Sequence, residues 1–278
     1  MNKKILITIS YLIFCNLSFA VFEDIGVTVR GKIAGEGYVS LCNDVGAIYY
    51  NPSVLGTIKN KELYIFYNNI YNLGLLDYTL VGYIHPKIGR GAIGLGWIRL
   101  GTTNNVDFMK YSENMFIFSY GQKIIENFYL GGNIKYYFVD YDYKASGLGT
   151  DISCMYTPIY WLKLGFIWQN FFSSEIFWQT GTKENINPVL KLGIAAEYKN
   201  QTFLFGLRYE KDIEPTLAWE YKISKIFSIL LGTRITTKEN SSVSIGFCVA
   251  TKKIKFNYGI EHNRMLGFTS FVDASLKI

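Results

Sequence analysis

From Glu62 to the C-terminus one pattern repeats. About ten residues alternate apolar with polar or small side chains, and a turn follows. Lys253 to Glu261 is the clearest case. Ile254, Phe256, Tyr258 and Ile260 fall on one face, and Lys253, Lys255, Asn257, Gly259 and Glu261 on the other. Period two puts the two sets on opposite sides of a strand. The pattern predicts fourteen strands, at 62–71, 77–85, 91–100, 113–121, 127–139, 149–156, 161–170, 188–198, 201–211, 214–223, 225–236, 241–250, 252–262 and 265–277. Most reach the roughly 9–11 residues that a tilted strand needs to cross a bilayer. Ordinary soluble strands run to about five or six.

The connections test the same idea. After even strands they are short, down to Asn200, Ser224 or Thr251 alone. After several odd strands they are long, as in Gly101–Ser112, Asp140–Leu148 and Phe171–Asn187. Short turns at one end and longer loops at the other mark a barrel of the bacterial outer membrane, with both termini periplasmic. Tyr71, Trp97, Phe138, Tyr156, Trp161, Trp168 and Trp219 stand near strand ends, where aromatic girdles meet the membrane interfaces. A soluble all-β protein would also alternate. Strand length and loop phase speak against it. Composition agrees: 17% of residues are aromatic, only 5 are Pro, and 18% are charged, against about 25% in soluble domains.

Residues 1–20 read as an address. Lys3 and Lys4 precede the short apolar run Ile5–Phe14, and Ser18 and Ala20 stand at −3 and −1 of a cleavage point before Val21. Removing two lysines lowers a net charge that is only +6 for the full chain, which argues against a nucleic-acid partner. Cys42, Cys154 and Cys248 then remain. An odd number at wide spacing is no disulfide framework, and we read them as small apolar residues.

Residues 21–60 do not alternate in the same way. They hold Arg30-Gly31-Lys32-Ile33-Ala34-Gly35-Glu36-Gly37-Tyr38-Val39, then Asn43-Asp44 through Tyr49-Tyr50-Asn51-Pro52-Ser53-Val54-Leu55. A fourteen-strand lumen is too wide for wall side chains to fill, so this segment is expected inside as a plug. Asn51-Pro52 suits a cap followed by a fixed entry into a new element.

The stretch 43–55 resembles the D-D/A-x-x-x-x-x-x-N-P-A-G-L run of the FadL-type outer-membrane barrels. Gly35-Glu36-Gly37-Tyr38-Val39 is similar to the glycine-rich element that precedes that run. Ser53 and Val54 stand where the family has Ala-Gly. The short chain looks more like the PorV/PorQ branch than FadL itself. The resemblance implies a fourteen-stranded antiparallel barrel with an N-terminal plug. It implies, as the leading expectation, a PorV/PorQ-like barrel that supports passage or secretion of cargo across the outer membrane; the alternatives are FadL-like uptake of small hydrophobic molecules and a structural outer-membrane barrel without a transport role. Asp44, Tyr50, Asn51 and Pro52 are then the plug-motif residues.

Catalytic chemistry is not legible. His85 and His262 fall at opposite ends of the expected barrel, there is no Cys-x-x-Cys, and Gly94-x-Gly96 lies within a strand with no helix after it. No cofactor or metal is expected, and we expect no enzyme. The inward polar faces carry charges of both signs, among them Arg99, Lys135, Arg208, Glu210, Arg234, Lys255 and Asp273. They read as paired charges in a plugged or wet lumen, or as a weakly anion-preferring path. Phe171, Phe172, Phe177 and Trp178 make the 171–187 loop a candidate contact for a hydrophobic ligand or a partner protein. The expected order is a signal peptide (1–20), a plug (21–60) and an outer-membrane β-barrel (61–278). Its expected partners are outer-membrane lipid and either secreted proteins or hydrophobic small molecules.

Overall fold

Strands with one greasy and one polar face must cover both faces and leave no open edge. This chain does so by closing on itself. The computed structural model describes residues 21–103, 106, 109–172, 175–236 and 241–278. The first half of the wall is β1 (Glu62–Asn69), β2 (Leu76–Ile88), β3 (Gly91–Thr102), β4 (Ser112–Ile125), β5 (Phe128–Asp140), β6 (Ala145–Ile159) and β7 (Leu162–Gln169). A small hairpin follows, β8 (Glu175–Trp178) and β9 (Lys183–Asn185). The second half is β10 (Val189–Tyr198), β11 (Gln201–Tyr209), β12 (Ile213–Lys222), β13 (Phe227–Arg234), β14 (Ser242–Ala250), β15 (Ile254–Asn263) and β16 (Gly267–Lys277). Each wall strand pairs antiparallel with its neighbours, and β1 closes the ring on β16 from Glu62↔Lys277 to Asn69↔Ser270. Residues 1–20, where a signal peptide is expected, lie outside the described residues.

Alternation follows the expected phase. In β1, Glu62, Tyr64, Phe66 and Asn68 are buried, while Leu63, Ile65 and Tyr67 are exposed. The same reversal recurs around the ring, so a continuous outer surface of Leu, Ile, Val and Phe faces away from the lumen. A surface this apolar marks a membrane or protein contact. Trp97, Phe116 and Tyr136 stack along it on adjacent strands at 6.4 Å centroid spacing.

Three segments depart from the sequence reading. β6 begins at Ala145 rather than 149 and runs to Ile159, so the loop before it shrinks. Gly147 and Gly149 hide its alternation, but pairing with β5 extends to Val139↔Ala145. The 171–187 stretch is not a plain loop: β8 pairs with β9 and docks on β6 through Ala145↔Trp178 and Ser146↔Phe177. Tyr71 leaves β1 in a tight turn at φ 55°.

The core is the lumen itself, filled by residues 21–58. From Gly26 to Leu55 every residue except Asn43 is buried. A helix, Val29–Ala34, starts from Thr28, whose hydroxyl accepts from the Gly31 amide. A 3-10 turn (Gly35–Ser40), a one-turn helix (Ala47–Tyr50) and a second 3-10 turn (Pro52–Thr57) follow. The helix and the first 3-10 turn lie against β7 and β10 to β16, and the second 3-10 turn lies against β2 to β6.

Inward-facing glycines make room for this backbone. Gly165, Gly193 and Gly206 align across β7, β10 and β11. A Cβ on Gly193 would stand 2.7 Å from the Glu36 carbonyl oxygen and 2.9 Å from the Ser40 nitrogen. Gly121 and Gly131, paired across β4 and β5, do the same for Pro52 and Ser53. Neighbours made of backbone cannot rotate away. Gly193→Val should therefore cost about 1–3 kcal/mol by overpacking. Ala196→Val, on the outer face of the same strand, should cost little. Thermal loss of β-sheet circular dichroism in detergent distinguishes them.

Candidate functional site

The plug carries five charged side chains into the lumen, and four of them meet opposite charge on the wall. Asp24 pairs with Lys191 and with Arg208 (3.4 Å), and Tyr49 donates its hydroxyl to it. Arg30 reaches Glu220 at 2.7 Å and Asn43 at 3.0 Å. Glu36 faces Arg234 at 3.6 Å, and Asp44 faces Lys255 at 3.5 Å and Arg30 at 3.8 Å. These anchors lie on β10, β11, β12, β13 and β15. Lys32, the fifth, donates to the Ile25 carbonyl and lies over the Phe271 ring.

Electrostatics follow from burial and pairing. Burial by itself would raise the Asp24 carboxyl, but Lys191 and Arg208 outweigh it and hold the group well below the usual carboxylate range. Asp44 is likewise held low, because Lys255 and Arg30 overcome the cost of burial. Burial lowers the Lys32 ammonium, with Glu261 opposing. Burial raises the Cys42 thiol, so it stays protonated and inert; Cys42, Cys154 and Cys248 are all free.

The plug-motif residues act as joints. Tyr38 donates to Asp44 at 2.7 Å, and Asp44 also accepts from the Gly46 amide at 3.0 Å, turning the chain into the helix Ala47–Tyr50. Tyr50 bridges the Val27 amide and carbonyl. Asn51 accepts from the Ser53 amide (3.1 Å) and hydroxyl (2.5 Å), and donates to Val39 and to Cys154 on β6. One amide therefore ties both halves of the plug to the wall. Pro52, with its fixed φ, opens the turn that Asn51 caps.

The expected lumen charges divide. Arg208, Arg234 and Lys255 are plug anchors. Asp273 accepts from the Val29 amide at 2.7 Å and from Tyr64 at 2.6 Å. Glu210 supports Arg208 at 2.5 Å. Lys135 belongs to the wall, paired with Asp151 at 2.6 Å and donating to Asn170. Arg99 is a correction: it shares the outer side of β3 with Leu95 and Trp97. The inner side there is Ala92, Gly94, Gly96 and Ile98, because plug residues such as Ile48 pack against it and leave no place for charge. Arg99 instead lines a polar cavity of about 600 Å³ at the loop end, with Lys110, Ser112, Asp140 and Asp142.

The four aromatic residues of the 171–187 stretch do not form one patch. Phe171 contacts both Trp168 and Phe172 at 4.6 Å, and Phe172 is 70% exposed. Phe177 lies on the hairpin beneath the Lys183 ammonium at 4.9 Å. Trp178 is half-buried against the core. His85 bonds the Pro86 carbonyl at the turn end, and His262 packs on Phe268 at the loop end. Among the described residues no group of His, Cys, Asp and Glu is arranged to hold a metal.

Sequence reasoning passed over Asp24 and did not see which wall charges the plug would meet. The available signal was the density of charge, Asp24, Arg30, Lys32, Glu36 and Asp44, in a segment expected inside a barrel.

No protein-family profile matches the chain, and no curated protein does. Solved structures do. The chain is similar to the CymD monoaromatic hydrocarbon channel (TM-score 0.74, 9% identity, covering 93% of this chain and 99% of that one). It is similar to the Ralstonia pickettii toluene transporter TbuX (0.65, 11%, 92% and 98%) and to a Pseudomonas aeruginosa FadL homologue (0.60, 11%, 89% and 96%). At such identities the shared property is the barrel fold, over nearly the whole length.

Leaving one member of a buried pair alone is expensive, about 3–5 kcal/mol. Arg30→Ala should loosen the plug by that order, whereas Arg30→Met with Glu220→Leu should recover much of it. Depressed carboxyls contribute stability that is complete above the ordinary carboxylate pKa of 3.8 and is lost as pH falls through their lower native values. The plug should stay protease-resistant at pH 5 and open only in acid below about 4. Asp24→Asn should weaken it at every pH. Limited proteolysis of the plug against pH reads all three variants.

Proposed function

We propose that this chain is a non-enzymatic barrel of the bacterial outer membrane that passes small hydrophobic molecules, with residues 21–60 as a removable plug. Residues 1–20 serve as the cleaved export signal, and the turn end of the barrel faces the periplasm. The observation that carries this reading is the lumen. It is filled by a segment that no disulfide among the described residues ties to the wall, inside a closed ring whose full-length structural neighbours bear the names of a hydrocarbon channel and a toluene transporter. The apolar outer surface supports the membrane setting. Phe171 and Phe172 offer an apolar landing place at the loop end.

A PorV/PorQ-like role in secretion rests on the short chain and on the motif of residues 43–55. Within the fold those residues are engaged in capping and in plug–wall bonds, so they supply no separate surface for a secreted protein. The hydrophobic-molecule reading therefore leads.

Uptake of labelled toluene by cells making the full chain should exceed the empty-vector rate several-fold. Arg30→Ala should raise both this rate and ion conductance in planar bilayers. Toluene uptake at the vector rate, with secretion of exported proteins falling when the gene is deleted, would replace this reading with the secretion one.

A further inference from the structure

The two ends of the barrel differ in charge. At the loop end signs are mixed: Lys183 bonds Glu175 at 2.8 Å, and Lys144 and Lys211 neighbour Asp142 and Asp212. The turn end is nearly all basic. Lys87 and Arg90 stand in the first turn, Lys123 in the second, Lys199 after β10, Lys225 after β12, and Lys252 and Lys253 after β14, all exposed. Glu126 is the one exposed acid in these turns. Every ion pair among the described residues lies in the lumen or on the β8–β9 hairpin, so none neutralises this ring.

Position identifies what the ring meets. The cations go round the whole perimeter instead of gathering on one side. Five of the seven sit beside a side chain facing the apolar exterior: Lys87 by Ile88, Lys123 by Ile124, Lys199 by Tyr198, Lys225 by Ile226, Lys253 by Ile254. An exposed apolar residue next to a lysine marks the boundary between hydrocarbon and head group, where the lysine stem lies along lipid and its ammonium reaches outward. The turn after β6, which lacks a lysine, carries Tyr160 and Trp161, the aromatic form of the same anchor. A soluble acidic partner would approach the end of the barrel and leave much of such a perimeter uncovered. Phosphates of a surrounding leaflet reach all of it.

We infer that the turn-end ring binds anionic glycerophospholipid head groups and thereby sets which leaflet receives that end of the barrel. The inference rests on the membrane-barrel reading and is independent of the cargo. It is tested on the full chain, purified in detergent and mixed with equal amounts of phosphatidylglycerol and phosphatidylcholine, by native mass spectrometry of the retained lipid. Phosphatidylglycerol should be retained about tenfold over phosphatidylcholine, with the preference shrinking in high salt. The combined variant K87Q/K123Q/K199Q/K225Q/K253Q should lose it, while K110Q/K144Q/K211Q at the loop end should keep it. Circular dichroism of each variant checks that the barrel is intact. Equal retention of the two lipids by the native chain, or an unchanged preference in the five-lysine variant, overturns the inference. Retention of neither lipid overturns the membrane-barrel reading along with it.

Discussion

Closure is the constraint from which everything else follows. In hydrocarbon no water can satisfy a free amide or carbonyl, so a sheet in a membrane must have no edge. The Glu62↔Lys277 to Asn69↔Ser270 pairing removes the last edge and joins the first wall strand to the last. Once the ring is shut, each strand has committed its greasy face outward. The polar faces of fourteen strands are then forced to surround a space that their own side chains cannot fill.

That space is filled by the chain's own beginning, and the wall is shaped for it in two ways. Glycine on the inner parity of β4, β5, β7, β10, β11, β14 and β15 lets plug backbone or side chains touch wall backbone. Charge then fixes position: Asp24, Arg30, Glu36 and Asp44 each find a partner on a different part of the second half of the wall. Glycine supplies room without direction, whereas four separated pairs define one orientation.

The strand pattern was legible because a period of two needs no knowledge of neighbours. All fourteen wall strands lie where alternation put them, within a few residues; the largest misses, four residues each, are the end of β4 at Ile125 and the start of β6, where Gly147 and Gly149 carry no apolar signal. Arg99 shows where the reading stops. Its neighbours Leu95 and Trp97 were the lipid-facing side, but a charge near a strand end can stand above the hydrocarbon on that same side. The β8–β9 hairpin was hidden because it forms on β6, far off in sequence. The plug's partners were hidden for a related reason. Glu220 lies 190 residues from Arg30, and nothing in either local sequence names the other. Asn51-Pro52 was readable as a joint since capping is local, but its bond to Cys154 was not.

Buried ion pairs are better at specifying an arrangement than at stabilising it, because desolvation offsets much of their attraction. The pairs give the plug one resting position, while its buried apolar residues, among them Val29, Ile33, Val39, Ile48 and Leu55, supply much of the hold. Water reaching a pair weakens its Coulomb attraction while re-solvating both ions, so displacement carries a smaller penalty than the gross pairing energy suggests. An entirely greasy plug would lack this property: moving it would expose apolar surface at about 25 cal/mol per Å² with nothing returned. On the proposed reading, the charges in the lumen are what make a filled barrel compatible with passage.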